Sequence, residues 1–185
     1  MTRAHAPLFD PEISVVGRRE AGEAHALLGV ADTRFLDFPA AELDGVAHHA
    51  LNREIGQLVA ECRPDAVFVP FVGDIHQDHK EIFDSTLVAV RPNRAGYPAM
   101  VLAYETLSET NWNAPYLTPA FVPNVFVDIA DTLEVKLEAM RAFVSQAKAF
   151  PHERSEETIR ALATLRGSTV FRQAAEAFVL VRSVV

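Results

Sequence analysis

A nearly continuous apolar and β-prone run, Asp65-Ala66-Val67-Phe68-Val69-Pro70-Phe71, leads by way of Val72-Gly73 into Asp74-Ile75-His76-Gln77-Asp78-His79 and then into a helical pattern from Lys80 to Val90. A strand that is apolar at successive rather than alternate positions is covered on both faces, as in a parallel sheet. Open α/β sheets bind ligands in the crevice at the carboxyl ends of their strands. Two imidazoles and two carboxylates are therefore concentrated where such a fold does its chemistry.

The rest of the chain repeats the alternation. Glu20 to Leu28 reads as a helix stopped by Gly29, Val30 to Phe38 as a short irregular strand, and Asp44 to Cys62 as a helix. The apolar stripe of that second helix is Val46, Leu51, Ile55, Leu58 and Val59. Met100 to Glu105 and Val125 to Ile129 read as strands, and Leu107 to Pro123 as a long loop over the site. Asp131 or Thr132 opens a helix with Leu133, Leu137, Met140 and Val144 on its buried face. Ser155 caps another helix that ends at Gly167, and Ala177 to Val185 reads as a final strand. The expected fold is a three-layer αβα architecture with a mostly parallel, Rossmann-like sheet, in one domain over residues 1–185.

Composition narrows the function classes. A formal charge of -8 leaves no basic stripe for nucleic acid, and no apolar run reaches the ~18 to 20 residues of a membrane span. The amino-terminal residues lack the apolar core of a secretory signal, so the expectation is a soluble, cytoplasmic protein. One cysteine, Cys62, makes neither an internal disulfide nor a paired metal site.

His76 and His79, three apart at a helix start, face the same way. Imidazole is the commonest zinc ligand, and an imidazole held off the metal serves as an acid or an oxyanion stabiliser. Asp78 or Asp74 could orient a neighbouring ring, the usual outer role of a carboxylate. The plainer alternative is a helix cap with its hydrogen-bonded neighbours.

Several stretches along almost the whole chain resemble the PIG-L/LmbE-like deacetylases. They are Arg19-Glu20-Ala21, Ala26 to Val30, Phe35 to Pro39, Arg63-Pro64-Asp65, the Asp74 to His79 cluster, Tyr104-Glu105, Phe143 to Gln146, Phe150-Pro151-His152, Arg166-Gly167-Ser168 and Ala175 to Phe178. The resemblance implies a zinc-dependent enzyme that removes acetyl groups from N-acetylglucosaminyl substrates. It makes His79 a zinc ligand, His76 the stabiliser of the tetrahedral intermediate or the acid for the leaving amine, and Asp78 the partner of His76. The family's histidine-proline-aspartate-aspartate-glutamate motif, which follows its first strand, has no counterpart here. The resemblance therefore implies a domain incomplete at its amino terminus, with the first strand missing and an exposed sheet edge that favours self-association, so a homo-oligomer is possible.

Further candidates for the sugar are weaker. Arg18 or Arg19 could meet a hydroxyl or phosphate or lie solvated at a helix end, and Trp112 could stack on a sugar ring or anchor its loop. His152 could reach the pocket or be exposed, and Glu105 closes a strand beside the expected site.

Overall fold

The computed structural model describes residues 2–93 and 95–185, and these form two compact units. One consists of residues 2–40 with Phe126–Glu176, the other of Ala41–Val125 with Ala177–Val185. The class is mixed α/β, as the alternating pattern predicts.

In the first unit β1 (Thr2–Arg3) pairs in parallel with β2 (Phe38–Pro39), and α1 (Glu12–Leu28), α4 (Leu133–Ala142) and α5 (Glu156–Thr169) pack in sequence, α1 on α4 and α4 on α5. Of the strand read over 30–38 only Phe38 is retained, in a two-residue strand with Pro39, because 31–35 are exposed and Phe38 and Pro39 find a neighbouring strand. α1 begins well before Glu20. Its first half leaves Ile13 and Val15 exposed, so no apolar period announces it. Gly29 ends it in the left-handed region at φ 70°, its N–H reaching Ala26 O while Val30 N reaches His25 O.

Glu20 is 2% exposed on α1. Its carboxylate accepts Ser145 N at 3.0 Å and Ser145 Oγ at 2.6 Å, fixing the turn after α4. That turn explains one departure from the sequence pattern: the chain leaves the helix at Phe143, so Val144 points outward at 74% exposure. Ser155 caps α5 as expected, accepting Thr158 N at 3.2 Å.

In the second unit β3 (Ala66–Pro70) runs parallel to β4 (Met100–Tyr104), with Ala66 opposite Met100 and Pro70 opposite Tyr104. β6 (Ala175–Ser183) belongs to this unit from residue 177 on and there returns antiparallel along β4 with a register shift at Val101/Leu102, whereas β5 (Val125–Asp128) belongs to the first unit from Phe126 on. The sheet is therefore mixed, and β3 stands at its edge with Phe68 half-exposed against Phe178. α2 (His48–Cys62) and α3 (Gln77–Ala89) pack together, and α3 also covers β3. Leu51, Ile55 and Val59 form the buried stripe of α2, while Val46 lies before the helix, beside a 3₁₀ turn at Leu43–Gly45. No helix among the described residues is long and apolar enough to cross a membrane.

Gly167 sits where α5 meets the following turn. A Cβ there would lie 2.7 Å from Ala174 Cα, Ala174 N and Arg172 O. These are backbone atoms, which cannot rotate away. Gly167→Ala is expected to cost about 1–3 kcal/mol, read as a lower urea midpoint with an unchanged slope.

Candidate active site

β3 ends at Pro70, and the chain turns through Val72 and Gly73, with Asp74 N bonded to Phe71 O at 3.1 Å. Gly73 is required by contact: a Cβ would strike the Phe71 ring and the Pro119 carbonyl. The turn delivers Asp74 into full burial and His76 to the N-cap of α3. His76 has an extended backbone (φ -70°, ψ 119°), and its Nδ1 accepts the N–H of Asp78 at 3.1 Å. An imidazole thus does what a serine or aspartate oxygen usually does at this position.

His79, one turn in, stacks on His76 with ring centroids 5.2 Å apart and planes at 15°. Its Nδ1 lies 2.7 Å from Asp74 Oδ2. The partners fix the two neutral rings in opposite tautomers. A backbone N–H can only donate, so Nδ1 of His76 is the acceptor and its proton sits on Nε2. A carboxylate accepts, so Nδ1 of His79 donates and Nε2 keeps its lone pair. One ring offers a donor and its neighbour an acceptor.

The sequence reading pairs Asp78 with His76, and the geometry differs. Asp78 is 4% exposed, and its carboxylate accepts Ala41 N at 2.8 Å and Leu43 N at 3.1 Å. The carboxylate that reaches an imidazole is that of Asp74, on His79. As the second residue of its helix, Asp78 projects toward the 41–43 segment, whereas Asp74 precedes the helix and lies under its first turn. What Asp78 gives His76 is its amide.

The long loop expected over 107–123 completes the arrangement. Ile75 N donates to Glu109 O at 3.3 Å, Asn113 Nδ2 to Gly73 O, and Thr110 Oγ to Asp74 Oδ1 at 2.5 Å. Three bonds thereby fasten residues 109–113, including the exposed Trp112, to the histidine turn. Nothing in the spacing of Thr110 or Asn113 signals this; only the folded loop brings them there. Glu105 follows β4, half-buried. Burial pushes the Tyr104 phenol above its ordinary value, and the charge of Asp74 adds to the push, so Tyr104 stays a neutral donor.

The remaining candidates belong to the first unit. Arg18 is taken up by Asp37 at 2.5 Å and lies over the Phe35 ring. That guanidinium, through its hydrogen bond, holds the Asp37 carboxyl below its ordinary value. Arg19 lies exposed on α1. His152 is exposed, its Nδ1 accepting Arg154 N at 3.0 Å to close a local turn.

His79, oriented by Asp74, has the form of a zinc ligand with its outer carboxylate. A catalytic zinc takes three protein ligands. Among the described residues no group of three or more His, Cys, Asp or Glu is placed to hold a metal, so these donors do not make a complete zinc site.

Ala41, which donates to Asp78, has a left-handed backbone at φ 61°. Asp78→Ala strands the amides of Ala41 and Leu43 and is expected to cost about 1–3 kcal/mol. Ala41→Gly relieves a strain of about 1–2 kcal/mol and should raise the melting temperature. Denaturation curves of both variants test the pair: Asp78→Ala as stable as the parent chain would mean that those amides are satisfied by water.

A sequence-family description, PIG-L: GlcNAc-PI de-N-acetylase, matches residues 2–90, which include the histidine turn and all of α3. Among solved structures, the N,N'-diacetylchitobiose deacetylase of Pyrococcus horikoshii superposes with TM-score 0.72 at 22% identity, over 95% of this chain and 67% of that one. The conserved protein TT1542 of Thermus thermophilus gives 0.73 at 23%, over 95% and 76%. GalB, the 4-carboxy-2-hydroxymuconate hydratase of Pseudomonas putida KT2440, gives 0.70 at 17%, over 98% and 77%. These likenesses establish a shared fold. Across residues 2–90, just under half of its length, the chain is similar to the PIG-L, GlcNAc-PI de-N-acetylase, family.

Proposed function

We propose that the chain is an amide hydrolase that removes the acetyl group from an N-acetylglucosaminyl-type sugar or conjugate. One observation carries the reading: His76 and His79 are stacked with opposite polarity at the carboxyl end of β3. Amide hydrolysis passes through a tetrahedral oxyanion and expels an amine that must be protonated. The Nε2–H of His76 suits the first demand, as a hydrogen-bond donor to the oxyanion, and the amine's proton comes from the attacking water. The Nε2 lone pair of His79 suits a water proton or a metal ion, and Asp74 stabilises the ring when it carries added charge. Zinc, when bound in such enzymes, polarises the amide carbonyl and lowers the pKa of its water. In this chain His79 is the residue prepared for that ion. Trp112, held by the clamped loop, offers a face for a sugar ring, and Asp78 supports His76 by keeping the cap in place.

The second reading is a binding protein that holds an acylated sugar without cleaving it. The incomplete donor set among the described residues favours it. The two readings separate on acetate release. Incubated with N,N'-diacetylchitobiose or an N-acetylglucosaminyl lipid, the chain is expected to liberate acetate with added zinc. His76→Ala should lower kcat by about 10²–10³-fold with little change in KM. His79→Ala should abolish turnover and lose any zinc that co-purifies, measured by elemental analysis. A folded chain that binds these sugars and releases no acetate would establish the binding protein, and zinc retained by His79→Ala would move the metal away from this turn.

A further inference from the structure

Thr110 lies in the long loop, 36 residues from Asp74 in sequence, and is half-buried. Its Oγ stands between two partners, Thr106 N at 2.8 Å and Asp74 Oδ1 at 2.5 Å. The first contact has only one possible direction, because Thr106 N–H donates and Oγ accepts. The hydroxyl proton is then directed at Asp74. Both oxygens of that buried carboxylate are thereby engaged, Oδ1 by Thr110 and Oδ2 by the His79 ring. A carboxylate held at one oxygen alone can swing about its Cβ–Cγ bond; held at both, it keeps Oδ2 on Nδ1 of His79.

We propose that Thr110 is a positioning residue that fixes the tautomer of His79. Two donors converge on Asp74: the Thr106 amide donates to Thr110 and Thr110 donates to Oδ1, while Nδ1–H of His79 donates to Oδ2, which leaves Nε2 of His79 with its lone pair. The loop that carries Trp112 therefore also decides which nitrogen of His79 is free. The consequence for catalysis rests on the amide-hydrolase reading, whereas the tautomer itself is a property of the chain without substrate or metal.

Long-range ¹H–¹⁵N correlation spectra of the metal-free, histidine-labelled full chain test this, taken near pH 8, above the ordinary imidazole range. In the parent chain His79 is expected to show a single tautomer protonated at Nδ1, and His76 one protonated at Nε2. Thr110→Val, which keeps the shape and removes the hydroxyl, should lower the Nδ1–H to Nε2–H ratio of His79 about tenfold, the effect of one hydrogen bond, and leave His76 unchanged. Thr110→Ser should restore the parent spectrum. If Thr110→Val does not fold, Thr110→Ala makes the same comparison. An unshifted His79 in the variant lacking the hydroxyl, or a Thr110→Ser chain that behaves like Thr110→Val, overturns the proposal. The spectra need no turnover, so a chain without deacetylase activity would end the functional reading and leave this result intact.

Discussion

A backbone N–H can only donate and a carboxylate can only accept, and these one-way groups set the polarity of the turn between β3 and α3. Imidazole is ambidextrous: either nitrogen can carry the proton at almost equal cost. At His76 the choice is made by the Asp78 amide, which also caps the helix. At His79 it is made by Asp74, which the fold buries completely and must therefore satisfy. Two chemically identical rings stacked on one another become a donor and an acceptor because their neighbours cannot reverse roles.

The same device recurs as a fastening. Three buried carboxylates, Glu20, Asp74 and Asp78, each take two donors. Each holds an irregular segment that has no ladder of its own: Ser145 after α4, the 109–113 loop, and the 41–43 segment. A carboxylate removed from water is costly unless its oxygens are filled, and charge-assisted bonds to amides and hydroxyls fill them. Asp78 is used twice over, its amide on His76 and its carboxylate on Ala41 and Leu43, so the cap and the 41–43 segment are not independent.

The parts legible in the sequence are those in which local pattern and burial coincide. The stripe of Leu51, Ile55 and Val59, the Ser155 cap and the stop at Gly29 all rest on residues a few positions apart, whereas β3 forms where its run lies but at a sheet edge, with Phe68 exposed and not covered on both faces. The clustering of His76 and His79 is equally visible, because a three-residue spacing at a helix start stacks side chains. Polar partners at long range are not. Choosing between Asp74 and Asp78 as the imidazole's partner requires knowing where the carboxylates point, and Thr110 gains its place from a loop with no period to read. The start of α1 is hidden for another reason: exposed Ile13 and Val15 blur the stripe that would mark it.

A backbone arrangement of this kind does not choose a reaction, since folds host unrelated chemistries and the site decides. The choice lies in which polar atoms are presented and in whether they can change role. His76 is capped through Nδ1, so its neutral ring presents Nε2–H as a hydrogen-bond donor and keeps that proton. His79 is the better placed to take a proton or a cation, because Asp74 beneath it compensates the added charge while Thr110 keeps that carboxylate aimed. Hydrogen-bond polarity in this turn therefore has a direction, with a donor at Nε2 of His76 and an acceptor at Nε2 of His79. That asymmetry comes from the hydrogen bonds behind the rings, since the rings themselves are the same.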